Sequence, residues 1–239
     1  MIPDRNTLNV KLFADGADMA GMIEMASKSY ISGLTTNPTL MKKAGVTDYT
    51  KFAKDVLSEI KQVPISFEVF SDDFEEMKIQ GEKIASWGDN VYVKVPITNT
   101  RGESTRTVIR HLSSMGIKVN ITAVMTPEQV ESMLEALNPM VNSYVSVFAG
   151  RIADTGRDPL QIMKNCLDIL APQTKSELIW ASPRELLNVY QANDIGCHII
   201  TATNDILHKL ELVGKDLNQY SVETVQMFFR DAQSSGYLI

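Results

Sequence analysis

The sequence predicts an α/β protein, a single (β/α)8 barrel carrying an extra C-terminal helix. Three observations lead there. Eight short β-prone runs recur along the chain with helix-like stretches between them, and strands alternating with helices in one unit imply a parallel sheet. No linker, low-complexity tract or change of composition divides the 239 residues, a length that barrels commonly reach as one domain. The competing doubly wound sheet lacks its usual marks, because no G-x-G-x-x-G follows the first run and no P-loop occurs anywhere. Eight strand–helix units close naturally into a TIM barrel.

In chain order the strand runs are NVKLFADG (9–16), ISGLTTNP (31–38), ISFEVF (65–70) and VYVKVP (91–96). KVNITAVM (118–125), YVSVFAG (144–150), ELIWASP (177–183) and CHIITAT (197–203) complete the set. Helical spacing is clearest in TDYTKFAKDVLSEIKQ, DDFEEMKIQGEKIASWG, TPEQVESMLEALNPM and DPLQIMKNCLDILAPQ. Thr47, Ser71 and Thr126 read as N-caps, the last followed by Pro127 at the first helical position. After the eighth run, LNQYSVETVQMFFRDAQSSGYLI reads as an amphipathic helix and tail. The domain is thus expected to span 1–239, with 216–239 as helix and tail.

Composition narrows the function classes. With 44% hydrophobic and 22% charged residues the chain has material for a full core. A net charge of -6 offers no basic surface for nucleic acid or membrane, so an anionic ligand must rely on a local group of arginines. No window approaches the roughly 20 apolar residues of a membrane span, and MIPDRNTLNVKLF has no signal-peptide core. A cytoplasmic protein is expected, with Cys166 and Cys197 as unpaired buried thiols. His111, His198 and His208 lack ligand spacing, so no metal site is expected; the first and last read as helix-surface residues, His198 as facing the helices. The NIT match to a glycosylation sequon at 120–122 falls in a strand and is accidental. Met19, Met22 and Met25, at helical spacing, are expected to pack the core.

The strand alternation locates a site. In VYVKVPIT (91–98) a lone lysine, Lys94, interrupts an apolar β-branched run, and lysine seldom enters an interior unpaired. Lys94 shares its phase with Tyr92, against Val91, Val93 and Val95. Ser66 and Glu68 oppose Phe67 and Val69, and Asn120 and Thr122 oppose Val119, Ile121 and Ala123. Ser146 and Phe148 oppose Val145 and Val147; Trp180 and Ser182 oppose Ile179 and Ala181. Asp15 sits in phase with Phe13, against Leu12 and Ala14, and Thr35 and Asn37 oppose Leu34 and Thr36. Seven of the eight runs thus place polar groups on one phase, mostly at their C-terminal ends, where barrel active sites are built.

A lysine enclosed by apolar walls is disfavoured in its charged form. A neutral amine attacks a carbonyl to form a Schiff base, whose iminium is an electron sink for carbon–carbon cleavage. Glu68, Asp15 and Thr122 are candidates for proton transfer, and Thr35, Asn37, Asn120 and Ser146 for holding substrate hydroxyls. Arg151, just past the sixth run, and Ser182 and Arg184, just past the seventh, form a candidate anion site, since late-strand loops commonly hold phosphate in barrels. Arg157, beside Asp154 and Asp158, reads as a surface ion pair. Each assignment has a rival: Lys94 as a salt-bridged structural lysine, Asp15 as a helix cap, Thr36–Asn37–Pro38 as a turn. Their convergence on one phase favours the site.

LFADGAD, GLTTNPTL, VYVKVPIT, VNITAVMT, VSVFAGRIADTG and WASPREL resemble, in order, the signature segments of the transaldolase family over residues 10 to 205. The length resembles the short single-barrel branch that also includes fructose-6-phosphate aldolase. The resemblance implies a Schiff-base role for Lys94, acid/base work for Asp15, and a catalytic water held by Glu68 and Thr122. It implies donor contacts from Thr35, Asn37, Asn120 and Ser146, and phosphate contacts from Arg151, Ser182 and Arg184. Glu68 resembles the transaldolases, where the fructose aldolases have glutamine; Phe148 does likewise, where the aldolases have tyrosine. Transaldolase activity on sugar phosphates is therefore expected, without metal or cofactor, in a ring-like homo-oligomer (pentamer or decamer). An aldolase releasing free dihydroxyacetone, a transaldolase for a specialised sugar, and a vestigial sugar-phosphate-binding barrel are the alternatives. Pro183 departs from the family, which usually has an aromatic there, and leaves the anionic substrate open.

Overall fold

The computed structural model describes residues 7–237; residues 1–6, 238 and 239, which the expected domain includes, lie outside the described residues. Eight parallel strands form a closed barrel in chain order. They are β1 (Lys11–Asp15), β2 (Ile31–Thr35), β3 (Ile65–Glu68), β4 (Val91–Pro96), β5 (Val119–Val124), β6 (Ser143–Val147), β7 (Ser176–Trp180) and β8 (Ile199–Thr203). Closure is made by β8 pairing β1, from Lys11↔Ile199 to Asp15↔Thr203, so no strand edge is left open. The expected (β/α)8 TIM barrel is the observed fold.

Helices alternate with the strands: α1 (Met19–Ala26), then α2 (Pro38–Lys43) and α3 (Tyr49–Glu59), α4 (Phe74–Ala85), α5 (Arg106–Ser114) and α6 (Pro127–Met133). The later ones are α7 (Ala149–Ala153), α8 (Leu160–Leu170), α9 (Leu187–Asp194), α10 (Asn204–His208) and α11 (Leu217–Ser235). Thr126 caps α6 through a full capping box with Gln129 and Pro127. The other two expected caps are displaced to neighbouring aspartates. Asp48, not Thr47, accepts from Lys51 N, and Asp73, not Ser71, accepts from Glu76 N. A carboxylate beside the positive helix end outcompetes a hydroxyl. Ser71 instead accepts from Asp73 N and donates to Glu76.

The main core lies between strands and helices, and takes Leu12, Ala14, Leu34, Phe67, Val93, Val95, Ile121, Val145 and Val147 from the outward phase. Met22 and Met25 join it, as do both cysteines, which are unpaired and whose thiols burial pushes up to about 12. A smaller cluster of Phe13, Tyr92, Tyr144, Ile179, Ala181 and Ile199 fills the lumen. Tyr92 and Tyr144 stack at 4.0 Å, and Phe13 meets Tyr144 edge-on at 5.7 Å. Gly33 is required here, since a Cβ would stand 2.4 Å from the Phe13 ring.

One strand, β7, shows the side-chain phase opposite to expectation. Ser146 pairs with Ile179, so Ile179 and Ala181 face the lumen, while Trp180 packs in the outer core. The large apolar indole goes where the helix layer can cover it. Ser182 still reaches the lumen side, by a different route: its φ of 61° breaks the alternation. Several expected runs also end early; Ala149 and Gly150 begin α7, and Pro38 begins α2.

Candidate active site

The C-terminal ends of the strands enclose a cavity of about 410 Å³. Asp15, Thr35, Asn37, Glu68, Lys94, Thr122, Ser146, Phe148, Arg151, Ser182 and Arg184 all line it. Asn120 is the expected site residue that does not. It lies beneath the wall, fully buried, accepting from Ser146 Oγ at 2.7 Å and donating to Ser66 Oγ at 2.9 Å. Its amide holds Ser146 rather than facing the cavity.

Lys94 is 5% exposed. Its surroundings are more polar than the expected apolar walls: Nζ donates to the Thr36 carbonyl at 2.9 Å and lies 3.4 Å from Glu68 Oε2. The ion pair offered as a rival reading is thus present, inside the cavity. Strand pairing creates it, because Glu68 and Lys94 are register partners on β3 and β4. Burial pushes the Glu68 carboxyl up, against the opposing pull of Lys94.

Asp15 ends β1 and does not cap α1; Asp18 does. Thr35 donates to Asp15 Oδ1 at 2.8 Å, and Asn37 Nδ2 donates to Oδ2 at 3.2 Å. Burial raises the Asp15 carboxyl above its ordinary value, while the Lys94 charge and these two donors pull it back. Asn37 is anchored in turn, since its Oδ1 caps α2 by accepting from Leu40 N at 2.9 Å. The TTNP motif therefore makes a helix start whose cap also orients a carboxylate.

Thr122 and Ala123 are adjacent yet both line the cavity, which regular alternation forbids. A break in the β5–β6 register between Ile121 and Val124 and a φ of 60° at Ala123 explain it. Among the described residues nothing hydrogen-bonds the buried Thr122 hydroxyl, which suits it to a water or substrate oxygen.

At the mouth, Arg151 lies over the Phe148 ring at 5.7 Å. Arg184 grips Asp154 through Nε at 3.0 Å and through Nη2. Those hydrogen bonds hold the Asp154 carboxyl below the usual carboxylate range. Arg184, not Arg157, is therefore the ion-pair partner of Asp154; Arg157 donates to Thr155. Gly150 lets α7 meet the loop after β7, because a Cβ there would stand 1.5 Å from the Ser182 carbonyl oxygen.

Sequence reasoning missed Thr201, which enters the cavity from β8. The alternation Ile199, Thr201 against Ile200, Ala202 held the signal. Among the described residues no group of His, Cys, Asp and Glu is arranged to hold a metal ion, and no helix is long and apolar enough to cross a membrane. His111 and His208 sit on outer helices, and His198 accepts from Leu178 N at 3.0 Å.

Residues 12–237 match the family model described as Transaldolase/Fructose-6-phosphate aldolase. A protein of Nitrosopumilus maritimus named "Probable transaldolase" is 34% identical over 203 residues, covering 84% of this chain and 87% of its own. Another of that name, from a Thermoanaerobacter species, is 34% identical over 224 residues, covering 93% and 98%. The barrel also resembles that of 2,3-dimethylmalate lyase, with a TM-score of 0.56 at 10% identity over 98% of this chain and 86% of the other; that likeness concerns the fold alone. The match over nearly the whole chain, and relatives at this identity, place the protein in the transaldolase/fructose-6-phosphate aldolase family.

Proposed function

We propose that the protein is a transaldolase, moving a dihydroxyacetone unit from a ketose phosphate to an aldose phosphate. The observation that carries this reading is the Lys94 amine in the cavity wall, with Glu68 at 3.4 Å and Asp15 among the lining groups. The Lys94 amine attacks the C2 carbonyl of a donor such as fructose 6-phosphate, and loss of water leaves an iminium. Asp15 accepts the proton of the C4 hydroxyl as the C3–C4 bond breaks; the bonding electrons pass to the iminium nitrogen, giving an enamine, and the aldehyde leaves. An acceptor aldehyde such as erythrose 4-phosphate is then attacked by the enamine carbon, and Asp15 returns its proton to the new hydroxyl. Glu68 and Thr122 serve the water released as the iminium forms and the water that later hydrolyses it. No metal or cofactor takes part in this scheme, since the iminium accepts the electrons.

Asn37 and Ser146 suit the substrate hydroxyls, and Arg151, Ser182 and Arg184 the phosphate. Glutamate at 68 and phenylalanine at 148 favour transfer over release of free dihydroxyacetone. The proposal includes a homo-oligomer and a cytoplasmic role in pentose phosphate interconversion.

Borohydride trapping tests it. Reduction after incubation with fructose 6-phosphate is expected to leave a three-carbon adduct on Lys94, absent from K94M, and sugar turnover is expected to need an acceptor aldehyde. An adduct on another lysine sinks the assignment. Release of free dihydroxyacetone without acceptor makes the protein an aldolase instead.

A further inference from the structure

The Thr201 hydroxyl lies 2.6 Å from that of Thr35, and Thr35 donates to Asp15 Oδ1 at 2.8 Å. A threonine hydroxyl has one proton. Thr35 uses its proton on the carboxylate, so in the contact between the two threonines Thr201 is the donor. The three groups form an ordered chain running from Thr201 through Thr35 to Asp15. Both threonines are buried, at 5% and 2% exposure. In such a low-dielectric setting, a hydroxyl that receives a hydrogen bond becomes a better donor itself.

From this chain we infer that Thr201 is a positioning residue, acting through Thr35 to hold Asp15 as an oriented, ionised carboxylate. The inference rests on the acid/base role proposed above for Asp15. Of the charged groups that share the cavity with Asp15, Lys94 on β4 favours its ionised form, Glu68 on β3 repels it as a like charge, and Arg151 and Arg184 stand at the mouth. Asn37 adds one donor at 3.2 Å. Burial works against all of these favourable contacts, so the ionised carboxylate depends on a few donors. Thr201 strengthens the shorter of the two hydrogen bonds. It does so from β8, the strand that follows every other contributor in sequence. The chain carries no net proton; the carboxyl exchanges its proton with the substrate hydroxyl while the threonines keep theirs.

T201V keeps the side-chain shape and removes the hydroxyl, whereas T201S keeps the donor. The test compares pH profiles of kcat/KM for fructose 6-phosphate with erythrose 4-phosphate in wild type and both variants, alongside borohydride trapping on Lys94. In T201V the acid limb is expected to move up by roughly half to one pH unit, a full unit being a tenfold change in proton affinity. T201S is expected to restore it, and the Lys94 adduct is expected in all three. A merely structural role would lower activity evenly across pH, so coincident acid limbs in wild type and T201V overturn the inference. If T201V does not fold, T201A is read against T201S in the same way. A wild type that forms no Lys94 adduct overturns the acid/base reading itself, and the inference with it.

Discussion

At the scale of single residues, Lys94 and Glu68 show how a polar pair is kept inside a barrel. A buried pair is stabilising only if hydrogen bonds satisfy what the Coulomb attraction leaves over, and here the Thr36 carbonyl takes one Lys94 donor. Glu68 remains unfavourable when ionised, because burial raises its carboxyl despite Lys94. A carboxyl whose folded-state value is raised contributes stability at low pH and loses it as pH rises through that value. E68Q, neutral throughout, also leaves the buried Lys94 without its partner, so the linkage fixes the trend and not the ranking. The stability of E68Q relative to wild type is expected to rise from pH 5 to pH 8. Thermal unfolding at both values checks this; a difference that stays constant or falls with pH would refute it. Asp15, Thr35, Glu68, Lys94, Thr122 and Ser146 were legible from sequence phase, since alternation needs only a period of two; Ala123, Ala181 and Thr201, which also line the cavity, were not. The depth of Asn120 was not legible either, because phase places a side chain on the lumen side without saying how far in. Its partners Ser66 and Ser146 fix that depth.

Elements behave differently, because their ends depend on local competition that the periodic pattern does not record. The shift of two caps to Asp48 and Asp73 moved helix starts by a residue or two without changing what each helix buries. The reversal of β7 had a larger cause. Polar Ser182 suggested that its phase was the lumen phase, but the strand ends at Trp180 and the left-handed Ser182 belongs to the loop. That loop is seated on α7 through Gly150, whose missing side chain is occupied by the Ser182 carbonyl. G150A is expected to destabilise the protein by roughly 1–3 kcal/mol, as overpacking against backbone does. It should also raise KM for phosphorylated substrates, since Ser182 and Arg184 move together. Denaturant unfolding and steady-state kinetics check both, and an unchanged KM would separate this loop from anion binding.

For the whole molecule, closure and strand number were legible because eight alternating units leave few other topologies. What covers α11 was not. No residue of this 19-residue helix is buried, and Val225, Phe228 and Phe229 are 63%, 62% and 65% exposed along one face. Such a face is unusual on an isolated chain and suits the homo-oligomer proposed above. Sedimentation is expected to give a species several times the 26.6 kDa of one chain, reduced to a monomer by the double substitution F228E/F229E. A wild-type monomer at micromolar concentration would count against it.

The stacked Tyr92 and Tyr144, with Phe13 against them, close the barrel floor below the reacting groups. Among the described residues the cavity therefore opens at the C-terminal ends of the strands. In the reaction proposed above, the aldehyde released from the donor leaves by the opening through which the acceptor arrives, so the two sugars take turns, and between visits the protein is a three-carbon carrier waiting with its load. Ping-pong order, on this view, follows from a plugged tube.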